Sequence, residues 1–130
     1  MSEDTRLRSP LGRALGLGSA KEGVAHWWAQ RITALALIPL CLWFVAALVS
    51  LTGADRAAIV AWFHAPFPAI ATMLLLVATF YHMALGVQVV IEDYVHTEWL
   101  KITALTLNKL VAFALGVAGV FAVLRLALQG

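Results

Sequence analysis

One histidine, His82, lies deep in an apolar stretch of this 130-residue chain, with no Asp, Glu, Lys or Arg between Pro66 and Ile91. An ionisable side chain that far from water is costly, and it marks a functional position. Ala78 and Gly86 stand four residues to either side, on the same face of any helix through the segment. Small residues above and below an imidazole leave room for a flat macrocycle, and neutral imidazole is a common axial ligand of haem iron. Spacing alone leaves a plainer reading open, a histidine hydrogen-bonded to a neighbouring helix. His26, His64 and His96 all fall near the ends of apolar stretches. A haem with two histidine ligands would therefore take its second from another chain.

Asp93 and Tyr94 form a second constellation. Asp93 follows His82 by eleven residues, which on a helix turns through about 1100° and returns to within ~20° of the His82 face, ~16 Å along the axis. A phenol there can donate a hydrogen bond to a quinone carbonyl, and a carboxylate can help supply protons. Pattern alone favours a polar helix end with an interfacial tyrosine. Arg31 opens the first apolar stretch after His26, Trp27, Trp28, Ala29 and Gln30. Its guanidinium can pair bidentately with a carboxylate, a haem propionate included, or act simply as a topology anchor. Gln88, Thr33, Thr79, Tyr81 and Asn108 are weaker signals, each able to hydrogen-bond between helices.

The elements that must position these groups are membrane helices. The chain is 62% hydrophobic and 12% charged, against about 25% charged in a soluble domain. The charges are concentrated between three long apolar stretches, about 30–52, 66–91 and 102–128. Each is long enough to cross a ~30 Å hydrocarbon core at ~1.5 Å per residue. The expected fold is therefore all-α and integral to the membrane, three transmembrane helices in a single domain over residues 1–130, preceded by a polar segment over 1–28. Pro39 falls inside the first helix, where a membrane helix tolerates it with a kink. Ser19 and Glu22 have capping-box spacing and suggest a helix start, whereas Pro10, Gly12, Gly16 and Gly18 argue against a long helix before it. Residues 53–65 and 92–101 read as loops. On the third helix, Ala114, Ala118 and Ala122, and separately Ala112 and Gly116, recur at helical spacing, rows that permit close helix approach.

Charge sets the orientation. Arg6, Arg8, Arg13, Lys21, Arg31, Lys101 and Lys109 lie on one side and Arg56 and Arg125 on the other. Seven basic residues against two place the N-terminus in the cytoplasm of a bacterial inner membrane, or in the mitochondrial matrix equivalent. Trp27, Trp28, Tyr94 and Trp99 mark the inner interface, and Trp62 and Phe63 the outer. The basic residues flank spans rather than form a nucleic-acid patch, so lipid is the partner they imply. Cys41 is alone, which excludes an internal disulfide and a multi-cysteine metal site.

The run from His82 through Gly86 and Gln88 to Asp93 and Tyr94 resembles the second-helix signature of the succinate dehydrogenase hydrophobic membrane anchor, the D-type subunit family: a histidine, a glycine four residues on, and an Asp-Tyr pair eleven and twelve residues on. The segment from His26 to Ala34 is similar to that family's entry into its first helix, and the three-helix plan extends the likeness over the whole chain. The resemblance implies that His82 is an axial ligand of haem b, with the other ligand from the C-type cytochrome b anchor subunit. Ala78 and Gly86 would then flank the macrocycle. It implies that Tyr94 hydrogen-bonds ubiquinone with Asp93 close by, and that Arg31 lies near a haem propionate or the quinone pocket, with His26 a neighbour of the same site. FAD and iron–sulfur clusters would belong to the flavoprotein and iron–sulfur subunits, and this chain would have no activity alone. An anchor of a quinol:fumarate reductase is the related alternative. A non-redox assembly or transport accessory is the unrelated one.

Overall fold

The computed structural model of the chain describes residues 9–14 and 21–129. These residues are almost wholly helical: α1 (Pro10–Ala14), α2 (Lys21–Ser50), α3 (Arg56–His64), α4 (Pro66–Tyr94) and α5 (Glu98–Leu128). Among the described residues, three helices, α2, α4 and α5, are long and apolar enough to cross a membrane. The chain is thus an all-α integral membrane protein. The three run further than the apolar stretches alone indicate, because polar flanks such as Lys21 to Arg31 and Glu92 to Tyr94 continue the same helical turns. Pro39 lies inside α2, which is continuous through it. The capping-box position Ser19 falls outside the described residues.

Where a loop was expected after the first span, the structure has α3. The chain leaves α2 through a turn in which Gly53 takes φ 81°, a left-handed conformation that costs glycine little. Asp55 then caps α3, its carboxylate accepting the Ala58 backbone N–H at 2.8 Å, which satisfies one of the donors a helix start leaves open. Ala65 alone separates α3 from α4. It sits at φ −70°, ψ 135°, the extended conformation that the following Pro66 imposes. At this end of the molecule Trp43 of α2 stacks on Trp62 of α3 (centroids 5.9 Å, planes 13° apart) and meets Phe67 of α4 edge-on at 5.6 Å. His64 of α3 bonds the carbonyl of Gln129, just past α5. The short helix is therefore bound to all three spans.

The spans form a layer with α4 in the middle. α4 packs on both α2 and α5, while no close backbone approach joins α2 to α5. Small residues make these contacts. Ala47, Ala69, Ala71 and Ala112 are buried, whereas large residues such as Leu42, Phe113 and Phe121 face outward. In lipid, where apolar surface gains little from leaving the solvent, close backbone approach supplies the packing energy. On α5 the row facing α4 is Ala112, Gly116, Gly119 and Val123: Ala112 and Val123 are buried, Gly116 lies against Phe80 and Gly119 against Leu76. Ala114, Ala118 and Ala122 are exposed, so that row is not used within the chain. Asn108 ties the same pair of helices, donating to the Ala84 carbonyl at 2.8 Å.

A Cβ on Gly119 would stand 3.2 Å from Leu76, whereas one on Gly116 would meet Phe80 at an ordinary 3.8 Å. Gly119→Val is therefore expected to lower the stability of the α4–α5 pair by about 1–3 kcal/mol through overpacking, with Gly116→Ala close to neutral. Thermal unfolding of the detergent-solubilised protein checks the order; equal effects at the two positions would contradict this packing.

Candidate functional site

His82 projects from α4 against α2. Its Nδ1 lies 2.9 Å from the Thr33 hydroxyl and its Nε2 3.4 Å from the Gln30 amide nitrogen. The Thr33 hydroxyl is also held by its own helix, 2.7 Å from the Ala29 carbonyl and 3.1 Å from that of Gln30. Gln30 and Thr33 are three residues apart and so share a helix face; His26, four residues before Gln30, shares it too. That face of α2 is a polar seam in an otherwise apolar contact. It is incompletely satisfied: Gln30 Oε1 and His26 Nε2 are buried without a hydrogen-bond partner. Buried polar atoms left unpaired are costly, and the one on Gln30, whose amide nitrogen lies 3.4 Å from His82, fits a site completed by something outside the chain; Thr72 Oγ1 on α4 is buried and unpaired as well.

The surroundings of His82 suit a flat group with a metal. Nε2 has only the long contact to the Gln30 amide, beyond the usual hydrogen-bond range. Gly86, one turn along, presents no side chain, and the nearest atom to where its Cβ would stand is Gln30 Nε2 at 3.9 Å. Ala78, one turn the other way, is half-buried. Among the described residues there is no cluster of three or more His, Cys, Asp or Glu able to hold a metal ion unaided. A metal ion at His82 would therefore need ligands beyond those the described residues bring together.

Asp93 and Tyr94 end α4 at the same end of the molecule as Trp27 and Trp28. Both are exposed, Tyr94 by 78%. α4 closes with the Val95 N–H on the Ile91 carbonyl, and Lys101 of α5 donates to the Glu92 carbonyl at 3.1 Å. Lys101 thus caps the negative end of α4. Gln88 donates to Glu92 Oε1 at 2.8 Å, a bond within α4. Arg31 does not turn toward His82: its guanidinium lies over the Trp27 ring, 5.4 Å from the centroid, and is exposed at the rim. The structure therefore gathers His82, Gly86, Gln30, Thr33 and His26 along the α2–α4 contact and leaves Arg31, Asp93 and Tyr94 on open surface at one end. Sequence alone marks Thr33 as no more than a helix–helix contact and gives Gln30 no role; their i, i+3 spacing opposite a membrane histidine is the signal that finds them.

A second concavity lies between α4 and α5. It has a volume of about 860 Å³, is lined by Phe80, Tyr81, Phe113, Val117 and Phe121, and reaches Gln88 and Lys109. His82 does not line it.

A layer of three apolar helices with a histidine between two of them defines an all-α membrane-embedded protein. Within an apolar 18-residue stretch of each span only 6%, 11% and 11% of residues are buried by the chain itself, leaving most of that surface to lipid or other chains. Comparison with known proteins specifies which subunit class. A family model described as the succinate dehydrogenase/fumarate reductase transmembrane subunit matches residues 5–123. The chain is 32% identical over 123 residues to the succinate dehydrogenase hydrophobic membrane anchor subunit of Paracoccus denitrificans, covering 95% of both chains. It is 34% identical over 116 residues to that of Rickettsia bellii, covering 89% of this chain and 93% of the other. Likeness to the succinate dehydrogenase membrane anchor subunit of Reclinomonas americana is 31% over 98 residues, 71% of this chain and 79% of that one. No solved structure was found to match it. The chain belongs to the succinate dehydrogenase/fumarate reductase transmembrane subunit family, and within it to the hydrophobic membrane anchor subunits.

Proposed function

We propose that this chain anchors the soluble subunits of a succinate:ubiquinone oxidoreductase to the bacterial inner membrane, shares a haem b with a C-type anchor subunit, and contributes to the ubiquinone-reduction site. The observation that carries this reading is the half-buried His82 on the central helix, its Nδ1 engaged by Thr33 at 2.9 Å and its Nε2 in only a 3.4 Å contact. An imidazole with one nitrogen engaged and the other available is the arrangement of a metal ligand with its supporting partner. The names of the relatives, succinate dehydrogenase anchors in each case, favour succinate oxidation over fumarate reduction.

In this reading His82 would hold the iron through Nε2, Ala78 and Gly86 would leave room for the ring, and a histidine of the C-type subunit would be the second protein ligand. Arg31, exposed and in no ion pair among the described residues, is available to a propionate or to the quinone pocket, with His26 beside the same region. Bound haem supplies a one-electron redox centre within the membrane. Quinone reduction takes up two electrons and two protons. Tyr94 donates its phenolic hydrogen to a quinone carbonyl, and Asp93, at the water-facing end of α4, helps deliver protons. FAD and iron–sulfur clusters reside in the flavoprotein and iron–sulfur subunits. Those subunits dock on the cytoplasmic side, where seven of the nine lysine and arginine residues lie and where α4 presents Asp93 and Tyr94.

A tag on this chain tests the reading. Co-purification of a flavoprotein, an iron–sulfur protein and a second membrane chain, with a b-type band in the reduced-minus-oxidised spectrum, is the expected result. A chain that brings down no such partners and no haem overturns it.

A further inference from the structure

We infer that Thr33 is the positioning residue for His82, its hydroxyl fixing the imidazole in the tautomer that keeps hydrogen on Nδ1 and a lone pair on Nε2. The inference rests on the reading of His82 as a haem ligand and adds a residue to it. A hydroxyl has one hydrogen to donate and can also accept. In Thr33 the shorter contact is to the Ala29 carbonyl, 2.7 Å against 2.9 Å to His82 Nδ1. A carbonyl can only accept, so the hydroxyl hydrogen goes there, the usual back-bond of a helical threonine to the carbonyl four residues earlier. Oγ1 then faces Nδ1 with a lone pair, and Nδ1 must carry hydrogen to bond it. The Gln30 amide nitrogen stands 3.4 Å from Nε2, beyond the usual hydrogen-bond range, and so leaves the Nε2 lone pair uncommitted. The hydrogens therefore run one way, from Nδ1 to Thr33 and from Thr33 to the Ala29 carbonyl. The acceptor is rigid because threonine is restricted at its first side-chain torsion and its hydroxyl is tied to the backbone. An Nδ1–H bonded in this way gives the ring more electron density to share through Nε2, which favours ferric over ferrous iron.

The complex purified through a tag on this chain provides the test, read by redox titration of its haem and by its absorption spectrum rather than by turnover. Thr33→Val keeps the volume and removes the hydroxyl. It should weaken the preference for ferric iron roughly tenfold, a rise in midpoint potential of about 59 mV for a one-electron couple. Thr33→Ser keeps the hydroxyl and loses a methyl group, and should titrate like the native complex. A packing role gives the reverse order, because valine fills the site and serine does not. Should the valine variant fail to assemble, Thr33→Ala against Thr33→Ser repeats the contrast, since only serine restores the acceptor. A native potential in a variant lacking the hydroxyl, or equal shifts with and without it, overturns the role of Thr33 while leaving His82 as ligand. A native complex without haem removes both.

Discussion

His82→Ala is expected to abolish the b-type haem band of the complex, because a shared haem would lose its only ligand from this chain. Among the described residues no second side chain stands ready to replace it. Gln30 and Thr33 face the same position, but an amide and a hydroxyl are poor donors to haem iron compared with imidazole. The substitution also opens a void between α2 and α4, so assembly has to be read separately. His82→Leu separates the two effects: leucine fills the space and supplies no ligand. With leucine the partner subunits should still co-purify and the haem band should still be missing. Added imidazole should restore a band in the alanine variant, whose cavity it can enter, and not in the leucine variant, whose cavity is filled. A haem band that survives both substitutions would return His82 to a helix-packing histidine.

What could be read from the sequence divides along physical lines. The three spans were legible because lipid demands ~20 apolar residues in a row, and composition satisfies or fails that demand without reference to tertiary structure. His82 was legible for the converse reason, an ionisable group where the demand is broken. α3 was not legible, because Arg56 to His64 is held in helical form by local devices, the Asp55 cap and the Pro66 stop, and by the stacking of Trp62 on Trp43 from another helix. A nine-residue segment offers little pattern of its own. The α5 face toward α4 was half legible. The Ala112 and Gly116 pair faces α4, but the Ala114, Ala118 and Ala122 row, equally regular in sequence, points outward; period alone does not say which of two small-residue rows meets a neighbour. Gln30 and Thr33 depended on the side-by-side register of α2 and α4, which hydropathy does not encode. Arg31, one residue from Gln30, is rotated about 100° away from it, and this rotation separates a side chain facing His82 from one stacked on Trp27 at the rim.

Tyr94→Phe is expected to slow quinone reduction by about 10²-fold, the cost of removing one donor from a position where negative charge develops on oxygen. Succinate oxidation with an artificial acceptor that takes electrons ahead of the quinone should continue at the native rate. The prediction is clean because of where Tyr94 lies. Tyr94 is 78% exposed in the chain, its hydroxyl makes no hydrogen bond among the described residues, and the His96 ring meets its backbone carbonyl, not its side chain, at 3.0 Å. Phenylalanine therefore removes one oxygen and leaves the packing of α4 intact, so stability, haem content and subunit composition should not change. A quinone bound at Tyr94 would need partner subunits to close the remaining walls, since its ring needs burial that a bare helix end does not provide. A companion substitution, Asp93→Asn, keeps the shape of the side chain and removes its charge. It should slow quinone reduction most at high pH, where protons are scarce and a group that helps deliver them matters most. Native quinone kinetics in Tyr94→Phe would take the phenol out of the site and place the quinone on residues of the partner subunits alone.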